Sequence, residues 1–125
     1  MYVPEELIAI YRNKLFPLAD VITPNQCEAQ WLSQSTISDE NDVKNIIKIL
    51  HQMGPKTVII TSVDNKNQSD IMKCYSSYIS ENENSHINFE YNIQKINFTF
   101  SGTGDACSAL LLASLDHFKD IQVIF

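Results

Sequence analysis

The sequence predicts an α/β domain whose ligands gather at the carboxyl ends of its strands, and three observations predict it. A helical pattern over residues 43–53 runs directly into Thr57-Val58-Ile59-Ile60-Thr61, a continuous β-branched run of the kind covered on both faces of a sheet. Two strand candidates, this run and Asp20-Val21-Ile22-Thr23-Pro24, each reach a Thr beside a polar loop. The string Phe100-Ser101-Gly102-Thr103-Gly104-Asp105-Ala106 then sets two glycines and a carboxylate at the mouth of an apolar helix over residues 106–118.

The elements follow in order. Pro4 at a first helical position, with Glu5 and Glu6 in the first turn, opens an amphipathic helix carrying Leu7, Ile8, Tyr11 and Leu15 and ending near Pro17. The run over residues 20–24 reads as a short buried strand stopped by proline. A helix over residues 26–32 follows, with Asn25 at its cap. Ser38 is expected to cap the next helix, where Val43, Ile46, Ile47, Leu50 and Met53 keep the 3.6-residue period until Gly54-Pro55 ends it.

The buried strand over residues 57–61 is expected to end at the polar pair Thr61-Ser62. A polar turn over residues 64–70 leads to two strand-like stretches, 71–79 and 87–100, separated by an Asn- and Glu-rich loop and read as an antiparallel edge. The polar ends of the two first strands and the glycine turn converge on one side of the sheet. No internal repeat or linker divides the chain.

A chain of 125 residues is one small domain, and 44% hydrophobic residues suffice to bury about two thirds of its unfolded surface. A formal net charge of −6 excludes the clustered Lys and Arg that nucleic acid or an anionic membrane would demand, so no partner of either kind is expected. Cys27, Cys74 and Cys107 are odd in number and widely spaced, giving neither a disulfide framework nor a zinc site. His51, His86 and His117 are isolated in sequence and read as packing or surface residues. Glu5, Glu6 and Arg12 interrupt any signal-peptide core, and the longest aliphatic run, residues 109–113, cannot cross a bilayer. A reducing cytoplasm is the expected location.

The glycine turn has two readings. As a site, it lets an anion approach the unpartnered N–H groups of a helix start, with Asp105 where a phosphoryl acceptor would meet it. As plain architecture, it is a loop ending in an Asp cap. Asn25 and Glu28 are open in the same way: one turn apart on a helix face, they form either a capping box or a polar pair able to hold a water-bound Mg²⁺. Thr61 and Ser62 read as an ordinary polar strand end or as ligand contacts, Cys107 as a small core residue, and Trp31 as packing.

Thr23-Pro24-Asn25-Gln26-Cys27-Glu28, then Thr61-Ser62, then Gly102-Thr103-Gly104-Asp105 occur in an order that resembles the pyridoxal kinases of the ribokinase-like superfamily. Met1-Tyr2-Val3-Pro4-Glu5 and His51-Gln52-Met53-Gly54-Pro55 resemble the eukaryotic members, and the likeness covers nearly all of residues 1–118. The resemblance implies a three-layer αβα fold of the ribokinase type with a small antiparallel section. Residues 1–125 would be a C-terminal portion of it, without the family's N-terminal half and final helices.

It also implies transfer of the γ-phosphate of ATP to the 5′-hydroxymethyl of pyridoxal, pyridoxine or pyridoxamine, with Mg²⁺ or another divalent cation and often K⁺ or Na⁺, in a family that is typically homodimeric. By that likeness Asp105 is the catalytic base, Gly102 and Gly104 flank the anion hole, and Thr103 reaches the nucleotide phosphates. Asn25 and Glu28 lie near the metal-bound phosphates. Thr23 and Thr61 contact a monovalent cation, Thr61 and Ser62 the nucleotide, and Ile96, Asn97 and Phe98 run along the adenine, with Phe100 nearby. Two other readings stand beside this one: a truncated relic that binds nucleotide or a full-length subunit, and a ribokinase-like kinase of another small molecule.

Overall fold

Val43, Ile46, Ile47, Leu50 and His51 line one face of helix α3 (Glu40–Gln52), and that face is what the rest of the chain is built upon. The computed structural model describes residues 4, 6–64, 67–80, 85–98 and 100–118. Asp39, not Ser38, caps α3: its Oδ1 accepts the N–H groups of Asn41 and Asp42, and Asp42 Oδ2 in return accepts those of Ser38 and Asp39. A carboxylate at this position also complements the positive helix end, which a serine hydroxyl does not.

The first helix departs from its expected regular form. Helix α1 (Glu6–Ile10) widens into a π-helical turn, Tyr11–Leu15, and tightens into a 3₁₀ turn, Phe16–Leu18. The change of pitch turns Phe16 inward, where it is buried with its ring 6.5 Å from that of Tyr11. The chain end of α3 comes back against this turn. A Cβ on Gly54 would lie 2.6 Å from the Phe16 carbonyl oxygen and 2.7 Å from Pro17 Cα, and Gly54 has φ +133°, so only glycine fits there.

Among the described residues four strands form one sheet in the order β1 (Val21–Ile22), β2 (Thr57–Asp64), β3 (Ile71–Ile79), β4 (His86–Gln94). β1 and β2 are parallel, joined through α2 (Gln26–Ser33) and α3, whereas β2, β3 and β4 form an antiparallel meander. β2 does not stop at Thr61-Ser62. It continues to Asp64 with a register irregularity between Ile60 and Val63, so the polar pair sits inside a bulged strand rather than beyond its end. β4 ends at Gln94, short of the expected 100, because its later residues lose their partner when β3 begins at Ile71, opposite Gln94.

Cross-strand pairing sorts the sheet's faces. Val58 opposite Ser77 and Ile60 opposite Tyr75 share the face packed on α2 and α3, where Ile22, Ala29, Val43, Ile46, Leu50, Val58, Ile60 and Tyr75 form the core. Full burial of side chains such as Leu50 and Ile60 contributes about 1.5–3 kcal/mol each relative to exposure. Cys74 and Ser76 point to the opposite face, and there Cys107 of α4 (Thr103–Phe118) lies close enough to Cys74 to help burial push its thiol up to about 11.

The histidines are not isolated from one another in space. His51 is buried, with its ring centroid 5.4 Å from that of His86. Its Nδ1 is 2.8 Å from the Pro55 carbonyl, which can only accept, so Nε2 is the unprotonated nitrogen and accepts from the Ser77 hydroxyl at 3.0 Å. Cys107 and Trp31 also depart from expectation, since both are exposed. Among the described residues no helix is long and apolar enough to cross a membrane.

Candidate functional site

The site begins where β1 ends. The Pro24 carbonyl accepts the Thr61 N–H at 3.0 Å, which continues the β1–β2 pairing one step beyond the strand and holds the Thr-Pro-Asn turn against the bulge of β2. The following residue starts α2. Asn25 Oδ1 accepts the Glu28 N–H at 3.0 Å, and Glu28 Oε2 accepts the Asn25 N–H at 2.9 Å. The capping box is therefore formed, and it engages Glu28 through Oε2 alone while the side chain stays exposed.

Thr23, Asn25, Glu28 and Ser62 line one cleft of about 800 Å³, walled on its apolar side by Tyr11, Phe16 and Trp31. Thr61 lies next to it in sequence, half-buried in the bulged segment. The carboxylate of Asp64 and the amide of Gln26 complete its rim. Thus four of the residues singled out from the sequence share a single opening.

The glycine turn meets this lip through one contact. Thr23 Oγ1 lies 2.9 Å from Ser108 Oγ, and the Ser108 hydroxyl donates to the Gly104 carbonyl at 3.0 Å. α4 begins at Thr103, one turn earlier than the expected 106, so Asp105 is its third residue and not its cap. Gly102 takes the left-handed conformation, φ +80°, that reverses the chain into the helix, and its carbonyl accepts the Ala106 N–H at 3.0 Å. The earlier N–H groups of Thr103, Gly104 and Asp105 precede that first helical bond and have no intrahelical acceptor. Among the described residues, nothing beyond the local backbone comes within 4 Å of a Cβ placed on Gly102 or Gly104. An anion can reach the positive helix end there without displacing protein atoms.

Ile96, Asn97 and Phe98 are not gathered into the cleft. All three are exposed, with the Phe98 N–H turned onto the Ile96 carbonyl at 2.7 Å and the Phe98 ring 5.1 Å from that of Phe100. They are joined to the lip indirectly. Lys95 Nζ is 2.6 Å from Asp64 Oδ1, and the Asp64 N–H donates to Gln26 Oε1 at 2.9 Å. Sequence reasoning missed Gln26, Asp64, Lys95 and Ser108. Ser108 left one signal, a hydroxyl residue one turn after Asp105 and directly before the aliphatic run of residues 109–113.

Among the described residues no group of three His, Cys, Asp or Glu is arranged to hold a metal ion. Glu28 and Thr23 are the expected metal residues that line the cleft, and a lone carboxylate beside a hydroxyl suits a hard cation that keeps its waters and takes most other oxygens from phosphate.

Comparison with known proteins adds to this geometry. Residues 2–123 match the sequence profile of the family described as phosphomethylpyrimidine kinase. The chain is 41% identical over 118 residues to the pyridoxal kinase of Homo sapiens, covering 90% of this chain and 38% of the human protein. It is 40% identical over 120 residues to that of Arabidopsis thaliana, covering 96% of this chain and 38% of the plant protein. The crystal structure of Plasmodium falciparum PdxK with AMP-PNP and PL superposes with a TM-score of 0.85 at 38% identity, over 92% of this chain and 38% of that one. The Leishmania donovani pyridoxal kinase in complex with ADP and pyridoxine gives a TM-score of 0.85 at 28% identity, over 94% and 40%. The chain spans about two fifths of the length of these relatives.

Proposed function

Because the chain belongs to the phosphomethylpyrimidine kinase family, we propose that it serves in ATP-dependent phosphorylation of the 5′-hydroxymethyl group of a pyridoxal-type substrate, yielding pyridoxal 5′-phosphate from pyridoxal. The observation that carries this reading is the contact between Thr23 and Ser108, which sets the helix start bearing Asp105 beside the lip that holds Asn25 and Glu28. The relatives bound to AMP-PNP, ADP, pyridoxine and PL support the same ligand pair.

Phosphoryl transfer asks little covalent chemistry of a protein. It asks for positioning and for fixed charge around the moving group. In this reading Asp105 accepts the proton of the substrate hydroxyl as its oxygen attacks the γ-phosphorus and the bond to the β–γ bridging oxygen breaks, releasing ADP; the base contributes about 10²–10⁴ in rate. The free N–H groups of Thr103 and Gly104, opened by Gly102, receive the phosphoryl oxygens. Asn25 and Glu28 face the nucleotide's phosphate end, Thr61 and Ser62 contact the nucleotide, and Ile96, Asn97 and Phe98 lie along the adenine. Mg²⁺ at Glu28 would supply neutralisation of phosphate charge, and a K⁺ or Na⁺ ion would sit at Thr23 and Thr61.

A second reading is favoured by α4, whose Leu110 and Leu112 remain about 70% exposed. In it the chain binds nucleotide and acts only when another polypeptide covers that helix, as a full-length subunit would. The deciding experiment is formation of pyridoxal 5′-phosphate from pyridoxal and Mg-ATP by the purified chain, with Asp105→Asn as control. Product that vanishes in the variant supports an autonomous kinase. A folded chain that binds ATP without turnover supports the second reading, and a panel of sugars and hydroxymethylpyrimidine tests the acceptor.

A further inference from the structure

Gln26, at an unassigned position within the Thr-Pro-Asn motif, forms with Asp64 and Lys95, which lie outside the motifs, a continuous chain of polar contacts between two parts of the proposed nucleotide site. Gln26, the first residue of α2, accepts the Asp64 N–H through Oε1 at 2.9 Å. Asp64, the last residue of β2, accepts through Oδ1 from Lys95 Nζ at 2.6 Å. Lys95 leaves β4 with its own N–H on the Asp70 carbonyl at 2.7 Å, and the next three residues are Ile96, Asn97 and Phe98.

We propose that Gln26, Asp64 and Lys95 are positioning residues that fix the segment 96–98, and with it the base of a bound adenine nucleotide, relative to the phosphate lip at Asn25 and Glu28. The inference rests on the kinase reading and adds to it the question of how base and phosphates are kept in register. The geometry makes the need plain. Residues 96–98 lie beyond the last pair of the β3–β4 ladder, and Ile96 and Phe98 are 70% and 71% exposed, so neither sheet pairing nor core packing holds them. Directly before them stands Lys95, fastened by its backbone to the turn before β3 and by its side chain to β2. Asp64 lines the cleft and is in turn placed by Gln26, so a displacement at either end is passed to the other through a single residue.

Lys95 and Asp64 are partly solvated, at 34% and 72% side-chain exposure, which sets the size of the effect. An exposed ion pair of this kind corresponds to about a two- to five-fold change in affinity. Titration calorimetry with ATP and with inorganic triphosphate, which lacks the base, separates register from general loosening. Lys95→Met and Asp64→Asn are each expected to weaken ATP by that factor relative to triphosphate, with the melting temperature unchanged. The double variant is expected to be no weaker than either single one, and the exchanged pair Asp64→Lys with Lys95→Asp to recover part of the loss. Gln26→Leu should follow the same pattern.

Equal weakening of ATP and triphosphate, additive losses, or unchanged ATP affinity would overturn the proposal and leave the kinase reading intact. Failure of the unaltered, folded chain to bind ATP overturns both together.

Discussion

Thr23 Oγ1 sits 2.9 Å from Ser108 Oγ and joins the end of β1 to the second turn of α4 across 85 residues of sequence. A half-buried hydroxyl pair of this kind contributes about 0.5–1.5 kcal/mol. Ser108→Ala and Thr23→Val should each speed limited proteolysis within α4 by about two- to ten-fold, and the double variant should add nothing further. Additive effects would show that the two hydroxyls do not act as a pair.

His51 gives the fold a pH dependence with a definite sign. Burial outweighs the Pro55 hydrogen bond and, with a smaller contribution from His86, holds the imidazole below its ordinary value of 6.5. Between the lowered folded value and 6.5 the unfolded chain binds more protons than the folded one, so stability is complete above 6.5 and falls as pH drops through the folded value. Urea midpoints measured from pH 7.5 down to 5 should decline in the native chain, and His51→Gln should flatten that decline. An unchanged slope in the variant would assign the effect elsewhere.

Gly54 is the position least able to accept a side chain. With an added Cβ 2.6 Å from a backbone oxygen and φ at +133°, Gly54→Ala combines a steric clash with a backbone conformation that alone costs about 1–3 kcal/mol. The expected result is a lower urea midpoint and loss of the Phe16 packing. A neutral substitution would mean that the 3₁₀ turn slides away from α3 at no cost.

Asn25 tests cap and ligand roles together. Asn25→Ala removes one half of the α2 capping box and should cost about 0.5–2 kcal/mol of stability. Asn25→Asp keeps the cap and brings a negative charge to the cleft. ATP affinity that falls in Asn25→Asp while stability is preserved separates a role in binding from the cap, and unchanged affinity in both variants would leave the cap as its whole function.

Where the sequence was legible, a single local rule decided the outcome. The spacing of Val43, Ile46, Ile47 and Leu50 could only place one helix face in the core, and the run Thr57 to Ile60 is buried on both faces as its composition demands. The Asn25 cap was equally local. What could not be read depended on distant partners. Thr61 and Ser62 look like a strand end until β3 supplies Lys73 and Met72 opposite Val63 and Asp64 and carries β2 onward. His51 and His86 meet only because β4 folds back over β3, and Phe16 turns inward only because Gly54 packs upon it. Thr23, Asn25, Glu28 and Ser62 stand in motifs that the sequence displays, yet the opening they share is walled by Tyr11, Phe16 and Trp31, which no motif contains.

The mixed sheet carries a consequence for the order in which the molecule forms. β2, β3 and β4 are consecutive in sequence and pair as neighbours, whereas the β1–β2 register joins Val21 to Thr57, 36 positions apart, and Thr23 meets Ser108 only across 85. Closing long loops is slow, so the meander is expected to form first and the lip last. Refolding rates should then fall on truncating Tyr75 in β3, while Ser108→Ala should leave refolding unchanged. A chain caught midway would hold its sheet before it holds anything that can bind a phosphate.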